Sequence, residues 1–465
     1  MFDTFASPFS HRYGSEAMRA LWSERHKRLL WRRVWVALAE AQAELGIISA
    51  DQAADLRAHM QDVDARSIAR ALELEREIHH DLMAELRVFA EQCPLGGSVL
   101  HLGATSMDIE DNAEALRLRE ALALLRQRVH VLMRCLAEQV LHHADRVCMA
   151  FTHLQPAEPT TVGYRLAQTL QDLMTDEAQL RELQRTLRGK GFKGAVGTAA
   201  SYAELGDAAA MEQRALQKLG LEAFAVATQT YPRKQEWLVL NALASLAQTL
   251  YKFAFDLRVL QSPPIGEWRE PFGAKQIGSS AMPFKRNPIL AERINSLARF
   301  LAALPRVAWD NAAHSLLERT LDDSANRRAL LPEAFLAAEE ITLLATRVVC
   351  ELHVDERNLV RTFEAYAPFA ATERVLVAAV KAGADRQAIH ARLRELALRA
   401  WDAIAQSGHN PLIELICADP EVTRYLAPEI IRALMNASTY VGDAPERARV
   451  LARQTLAYLG AAEDA

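Results

Sequence analysis

Cysteine is scarce and poorly spaced for a structural role. The chain has five, at Cys93, Cys135, Cys148, Cys350 and Cys417. They are odd in number, scattered and without a C-x-x-C pair. That argues against a disulfide framework or a cysteine-built metal site and fits a reducing compartment. Excess positive charge is missing too. The net charge is -5, poor footing for nucleic acid, which asks for a clustered basic face. We find no uninterrupted apolar stretch long enough to cross a membrane. The N-terminal MFDTFASPFSHRYGSEAM has polar residues where a signal peptide needs an apolar run. The expected location is the cytoplasm, with no membrane partner. There is no internal repeat, no Gly-rich phosphate loop with lysine, and no nucleophile elbow of the kind hydrolases carry. His79-His80-Asp81 is the tightest ligand-like cluster. It lacks the i, i+4 spacing of helical zinc sites, so neither a metal nor another cofactor is expected.

Helical periodicity is abundant. Leu118, Leu122, Leu125, Val129, Leu132 and Leu136 alternate steps of four and three, which draws one stripe down a helix. Leu243, Leu246, Leu250, Phe253, Leu257 and Leu260 do the same, until Ser262-Pro263-Pro264 ends the helix. Long helices are expected near 108–145, 160–190, 234–262, 288–316 and 325–352. Strand signals are weak, with extended segments expected only near 196–201 and 224–230. The class is all-α, an elongated helical bundle with apolar faces left over for other subunits. Three parts are expected: 1–104, 105–353 and 354–465.

Four polar, Gly- or Pro-rich stretches interrupt the helices, and loops on a rigid scaffold commonly carry function. Around 101–108, HLGATSMD, Thr105 and Asp108 read as a helix start. That is either an ordinary cap or a carboxylate site at free backbone N–H groups. THLQPA at 152–157 precedes a long helix whose early prolines suit a first turn. His153 there is either a capping group or a proton donor. GSSAMPFKRNP at 278–288 combines small residues, two serines and a lysine. Such a loop suits oxyanion stabilisation or serine activation. ERTLDDSANRR at 318–328 places Ser324 and Arg328 one turn apart. Arg319 and Arg328 form either a phosphate clamp or part of a surface salt-bridge network.

GSSAMPFKRNP resembles the signature loop of the fumarase/aspartase superfamily, G-S-S-x-M-P-x-K-x-N-P. The T-S and T-H-x-Q-P-A segments occur in that superfamily's order, and the likeness covers essentially the whole chain. Within it, ERTLDDSANRR, KGAVGTAASY, QTYPRK and VKAGADRQ are similar to the animal-like adenylosuccinate lyase family.

The resemblance implies a three-domain helical fold, a homotetramer with a central bundle, and active sites each shared by three subunits. It implies cleavage of adenylosuccinate to AMP and fumarate, and of SAICAR to AICAR and fumarate. By position it implies Ser279 as general base and His153 as general acid. It places Arg12, Tyr13, His79, His80, Asp81, His101, Thr105, Ser106, Gln229, Lys285, Arg293, Arg319, Ser324 and Arg328 around the substrate. Two departures stand out. His79 occupies a position where the animal-like pattern has arginine, and Ile289-Leu290-Ala291 replaces a more polar stretch before Arg293.

Overall fold

The structure is a computed structural model that describes Asp3–Glu463. The principal helices are α1 (Glu24–Glu44), α2 (Ala50–His59), α3 (Ala65–Ile78), α4 (Asp81–Gln92), α5 (Ser106–His142), α6 (Val162–Thr186), α7 (Lys234–Gln261), α8 (Ile289–Ala313), α9 (Asp322–Cys350) and α10 (Glu356–Lys381). The all-α class holds, and α5 to α9 each lie within a few residues of their expected spans. The α5 stripe from Leu118 to Leu136 and the α7 stripe from Leu243 to Leu257 are buried, as their spacing requires.

Two sequence expectations need correction. The segments near 196–201 and 224–230 are bends and turns with a short helix at Ala200–Ala203. The main extended structure is a hairpin, β1 (Val147–Thr152) with β2 (Gln155–Thr161). Pro156 and Pro159 lie in β2 rather than in a first helical turn. Proline is tolerated at a two-stranded edge, where no further strand needs its N–H. Second, Cys135 on α5 and Cys350 on α9 form a disulfide, with Cα atoms 5.6 Å apart and 215 residues between them. Spacing along the chain does not reveal so distant a pair. α7 is the most apolar of the long helices, but Lys252, Asp256 and Arg258 interrupt its apolar run. Its apolar stripe is buried against protein.

Packing divides the chain into two compact units, Met1–Val129 with Thr175–Gln248 and Ser296–Leu343, and His130–Met174 with Thr249–Asn295 and Leu344–Ala465. Each of α5 to α9 contributes residues to both. The boundaries expected at 104 and 353 follow chain order, whereas the units follow packing.

In the first unit, Trp31, Trp35 and Leu38 of α1 pack with Leu56, Phe89, Ile109, Leu116, Phe192 and Tyr202. Arg28 and Arg32 both reach the buried Glu85, each at 2.8 Å, and so tie α1 to α4. In the second unit, Met149 of β1 joins Ala371 and Val375 of α10 in a core with Leu393, Leu412 and Ile416. Trp268-Arg269 pairs antiparallel with His353-Val354, which fixes the chain just before the 278–288 loop.

Candidate active site

The first unit gathers one group of the expected residues at the start of α5. Asp108 in its first turn is fully buried. It accepts from Thr105 N at 3.1 Å, Tyr202 OH at 3.0 Å and Lys190 Nζ at 2.5 Å. Lys193 N and Gly194 N add two more donors at 3.2 Å. The helix start read from Thr105 and Asp108 is therefore real, and the Asp108 carboxylate holds the Thr105 N–H. Burial lowers the Lys190 ammonium from its ordinary value, although Asp108 opposes the shift. Lys190 and Asp108 are an ion pair removed from water, which is stable only when every remaining lone pair and proton is satisfied.

The histidines and Asp81 sit on neighbouring helix ends. His79 ends α3 in the left-handed region, φ 53°, and His80 caps α4. His80 Nε2 lies 3.3 Å from Ser106 Oγ. Asp81 Oδ2 accepts from Arg328 Nη2 at 2.8 Å. Burial works against the Asp81 charge, but Arg328, Lys27 and the Leu82 N–H together hold the carboxyl below its ordinary range. His101 has φ 70°, and its Nδ1 accepts from Trp35 Nε1 at 2.9 Å. Indole is only a donor, so the neutral ring carries its proton on Nε2. Burial lowers the His101 pKa and favours that neutral form.

A buried charge network then fixes the 318–328 segment. Arg233 bonds Asp111 at 2.8 Å and Asp323 at 2.7 Å, and Arg319 bonds Asp323 at 2.7 Å. Arg327 bonds Glu236 at 2.9 Å, and Tyr231 OH donates to Glu236 at 2.6 Å. Burial pushes Asp323 up, but Arg233, Arg319 and Arg327 together more than offset it. Gln229 N donates to Glu318 O at 3.2 Å. Arg319 is thus committed to Asp323, while Arg328 and Ser324 line a cavity with Asp81. The sequence reading missed Asp111, Arg233 and Glu236 as supports. Their signal, isolated charges beside apolar stripes, looks like solvated surface until the partners meet.

Arg12 and Tyr13 follow a short 3₁₀ turn, Pro8–Ser10. The turn is anchored on α9, where Gly14 N donates to Glu340 at 3.0 Å and Ser15 N to Glu339 at 2.7 Å. Gly14, with φ 74°, comes so close to Leu336 that a Cβ would lie 2.6 Å from its side chain.

The second unit holds the expected acid and base. His153 and Leu154, at φ 55° and 57°, are the two residues at the β1–β2 tip. Two positive φ values in a two-residue loop define a type I′ turn, normally filled by Asn-Gly. Histidine and leucine there are a strained choice, of the kind concentrated at functional sites. The imidazole is exposed and makes no hydrogen bond among the described residues.

Ser279 lies in the loop between Trp268-Arg269 and α8. Its Oγ accepts from Ala281 N at 3.3 Å and Met282 N at 3.1 Å. The loop closes on itself, with Asn287 Nδ2 donating to Gly278 O at 3.0 Å. A Cβ on Gly278 would sit 1.9 Å from Lys285 O, so only glycine fits. Lys285 shapes the loop through its backbone, with its N donating to Met282 O at 3.1 Å. Its ammonium makes no hydrogen bond or ion pair among the described residues. Glu270 accepts from Leu290 N at 3.0 Å and Ala291 N at 2.9 Å, which fixes the start of α8 and places the half-buried Arg293.

Among the described residues, one trio, Asp55, His59 and Cys93, has donor atoms close enough together to hold a metal ion. Burial drives the Cys93 thiol up to about 12.

A long-helix scaffold, a T-S helix start and a serine loop of this form define a lyase of the fumarase/aspartase class. The pattern of the lyase family matches residues 7–300, and that of the adenylosuccinate lyase C-terminus matches 368–450. A fumarate lyase from Mesorhizobium superposes with a TM-score of 0.84 at 25% identity, covering 97% of this chain and 99% of that one. The 3-carboxy-cis,cis-muconate lactonizing enzyme of Pseudomonas putida gives 0.85 at 25% identity, over 96% and 99%.

The sequence is 38% identical to the adenylosuccinate lyase of Schistosoma mansoni, over 97% of this chain and 94% of that protein. Against that of Saccharomyces cerevisiae the identity is 36%, over 96% and 93%. The chain belongs to the adenylosuccinate lyase family.

Proposed function

We propose that the chain eliminates fumarate from adenylosuccinate, releasing AMP, and likewise cleaves SAICAR to AICAR, with Ser279 as base and His153 as acid. Ser279 Oγ takes the proton from the succinyl carbon next to the one that bears nitrogen. The electron pair left behind becomes the fumarate double bond as the C–N bond breaks. The departing nitrogen receives a proton from His153.

The abstracted proton is very weakly acidic, so the developing charge must spread into the adjacent carboxylate. Thr105, Ser106 and the free N–H groups at the start of α5 are suited to stabilise it. The observation that carries the reading is Ser279 Oγ, with two backbone N–H groups aimed at it at 3.3 and 3.1 Å. Such donors favour the alkoxide over the alcohol. The partnerless His153 imidazole is open to a leaving group. General acid help of this kind contributes about 10²–10⁴-fold.

The working form is a homotetramer with each site shared by three subunits. The exposed Phe255 and Trp309 on α7 and α8 are suited to that burial. The test is ultraviolet absorbance of purified protein with adenylosuccinate, alongside an independent fumarate assay. Equal amounts of AMP and fumarate are expected. No reaction from folded protein would redirect the reading to another succinyl conjugate.

A further inference from the structure

Glu110, one turn beyond Ser106 on α5, is a carboxyl without a hydrogen bond or ion pair among the described residues. It lines a cavity of about 70 Å³ with Asp81, Ser324 and Arg328. Charged groups face it from every element around that cavity. Lys27 comes from α1, Asp81 from α4, Asp111, Glu114 and Arg117 from α5, and Arg327 and Arg328 from α9. Each cation already has a carboxylate. Lys27 is paired with Glu24, Arg117 with Glu114, Arg327 with Glu236, and Arg328 with Asp81. Asp111 is likewise taken by Arg233. Glu110 is the carboxyl left over.

An ionised Glu110 would repel any anion reaching Ser324 and Arg328. A neutral one offers an O–H donor at the same place. We propose that Glu110 enters substrate binding as the neutral acid, donating its O–H to an anionic oxygen of the nucleotide held by Ser324 and Arg328. Binding then takes up a proton. The inference rests on the reading that Ser324 and Arg328 contact substrate. Burial first, then Asp81 and Asp111, push the Glu110 carboxyl up to about 7, so its proton is half present at neutral pH. Affinity is greatest below that value and falls as pH rises through it.

The anionic oxygen belongs either to the phosphate or to a succinyl carboxylate, and the two reaction products separate them. AMP carries only the phosphate and fumarate only the carboxylates. Calorimetric titration of each is made at pH 7 and pH 8, where a phosphate with its second pKa near 6 stays largely dianionic.

For the wild type, one of the two products is expected to bind about fivefold more weakly at pH 8, following the protonated fraction of a group titrating near 7. E110Q is expected to bind that product equally at both pH values. E110L, which lacks the donor, is expected to bind it weakly at both. Loss with AMP alone identifies the phosphate, and loss with fumarate alone the carboxylate. R328Q separates the two layers. If it binds both products as the wild type does, the cavity is not a substrate site and the proposal falls with that reading. If R328Q is weakened but E110Q keeps the wild-type pH dependence for both products, the role of Glu110 alone is overturned.

Discussion

Asp108 and His143 show how single buried groups set stability. Asp108 satisfies Lys190, Tyr202 and three backbone N–H groups from a fully buried position. Asp108→Ala leaves the Lys190 ammonium without its counter-charge, and breaking such a pair costs about 3–5 kcal/mol. Urea unfolding should show a loss of that size, and a change below about 1 kcal/mol would contradict the assignment. His143 is buried, and its Nδ1 has no hydrogen-bond partner among the described residues. Burial depresses its pKa from 6.5 to about 4. As pH falls, the unfolded chain takes this proton before the folded one does. The contribution is therefore intact above about 6.5 and is lost between there and about 4. His143→Leu removes the titrating ring, so its stability should fall less steeply across that window. Equal slopes for variant and wild type would refute the point.

At the scale of elements, the serine loop depends on one close approach. Gly278→Ala places a methyl against the Lys285 carbonyl. The two N–H donors then lose their aim at Ser279. Displacement of about 1 Å at a reacting group costs on the order of 100-fold. We expect kcat to fall at least that far with the helical circular dichroism unchanged, and a fall below tenfold would argue against a preorganised loop.

The long helices were legible because apolar stripes such as Leu118–Leu136 repeat at helical spacing over several turns. The serine loop was legible through its motif. The β1–β2 hairpin was not. His153-Leu154 lacks the Asn or Gly that announces a type I′ turn, and Pro156 imitates a helix start. The supports around Arg233 were also hidden. Arg233 meets Asp111 and Asp323 across 122 and 90 residues, so no local pattern marks them. Asp108 was seen as a cap, but its bond to Lys190 was not.

For the whole molecule, the proposed sharing of each site among subunits is tested by complementation. Ser279→Ala and His153→Gln are each expected to be nearly inactive as pure oligomers. Dissociated, mixed in equal amounts and reassembled, they should regain roughly a quarter of wild-type activity, by random assortment in a symmetric oligomer whose sites draw the two residues from different subunits. No recovery would place both residues of each site on one chain.

The central claim is that Ser279 removes the proton. Calorimetry of the Ser279→Ala protein with adenylosuccinate, read beside a fumarate assay of the same sample, tests it most directly. Ser279→Ala is expected to bind adenylosuccinate within a few-fold of the wild-type KM, with turnover reduced on the order of 10³-fold or more. Tight binding with near-normal fumarate release would contradict it.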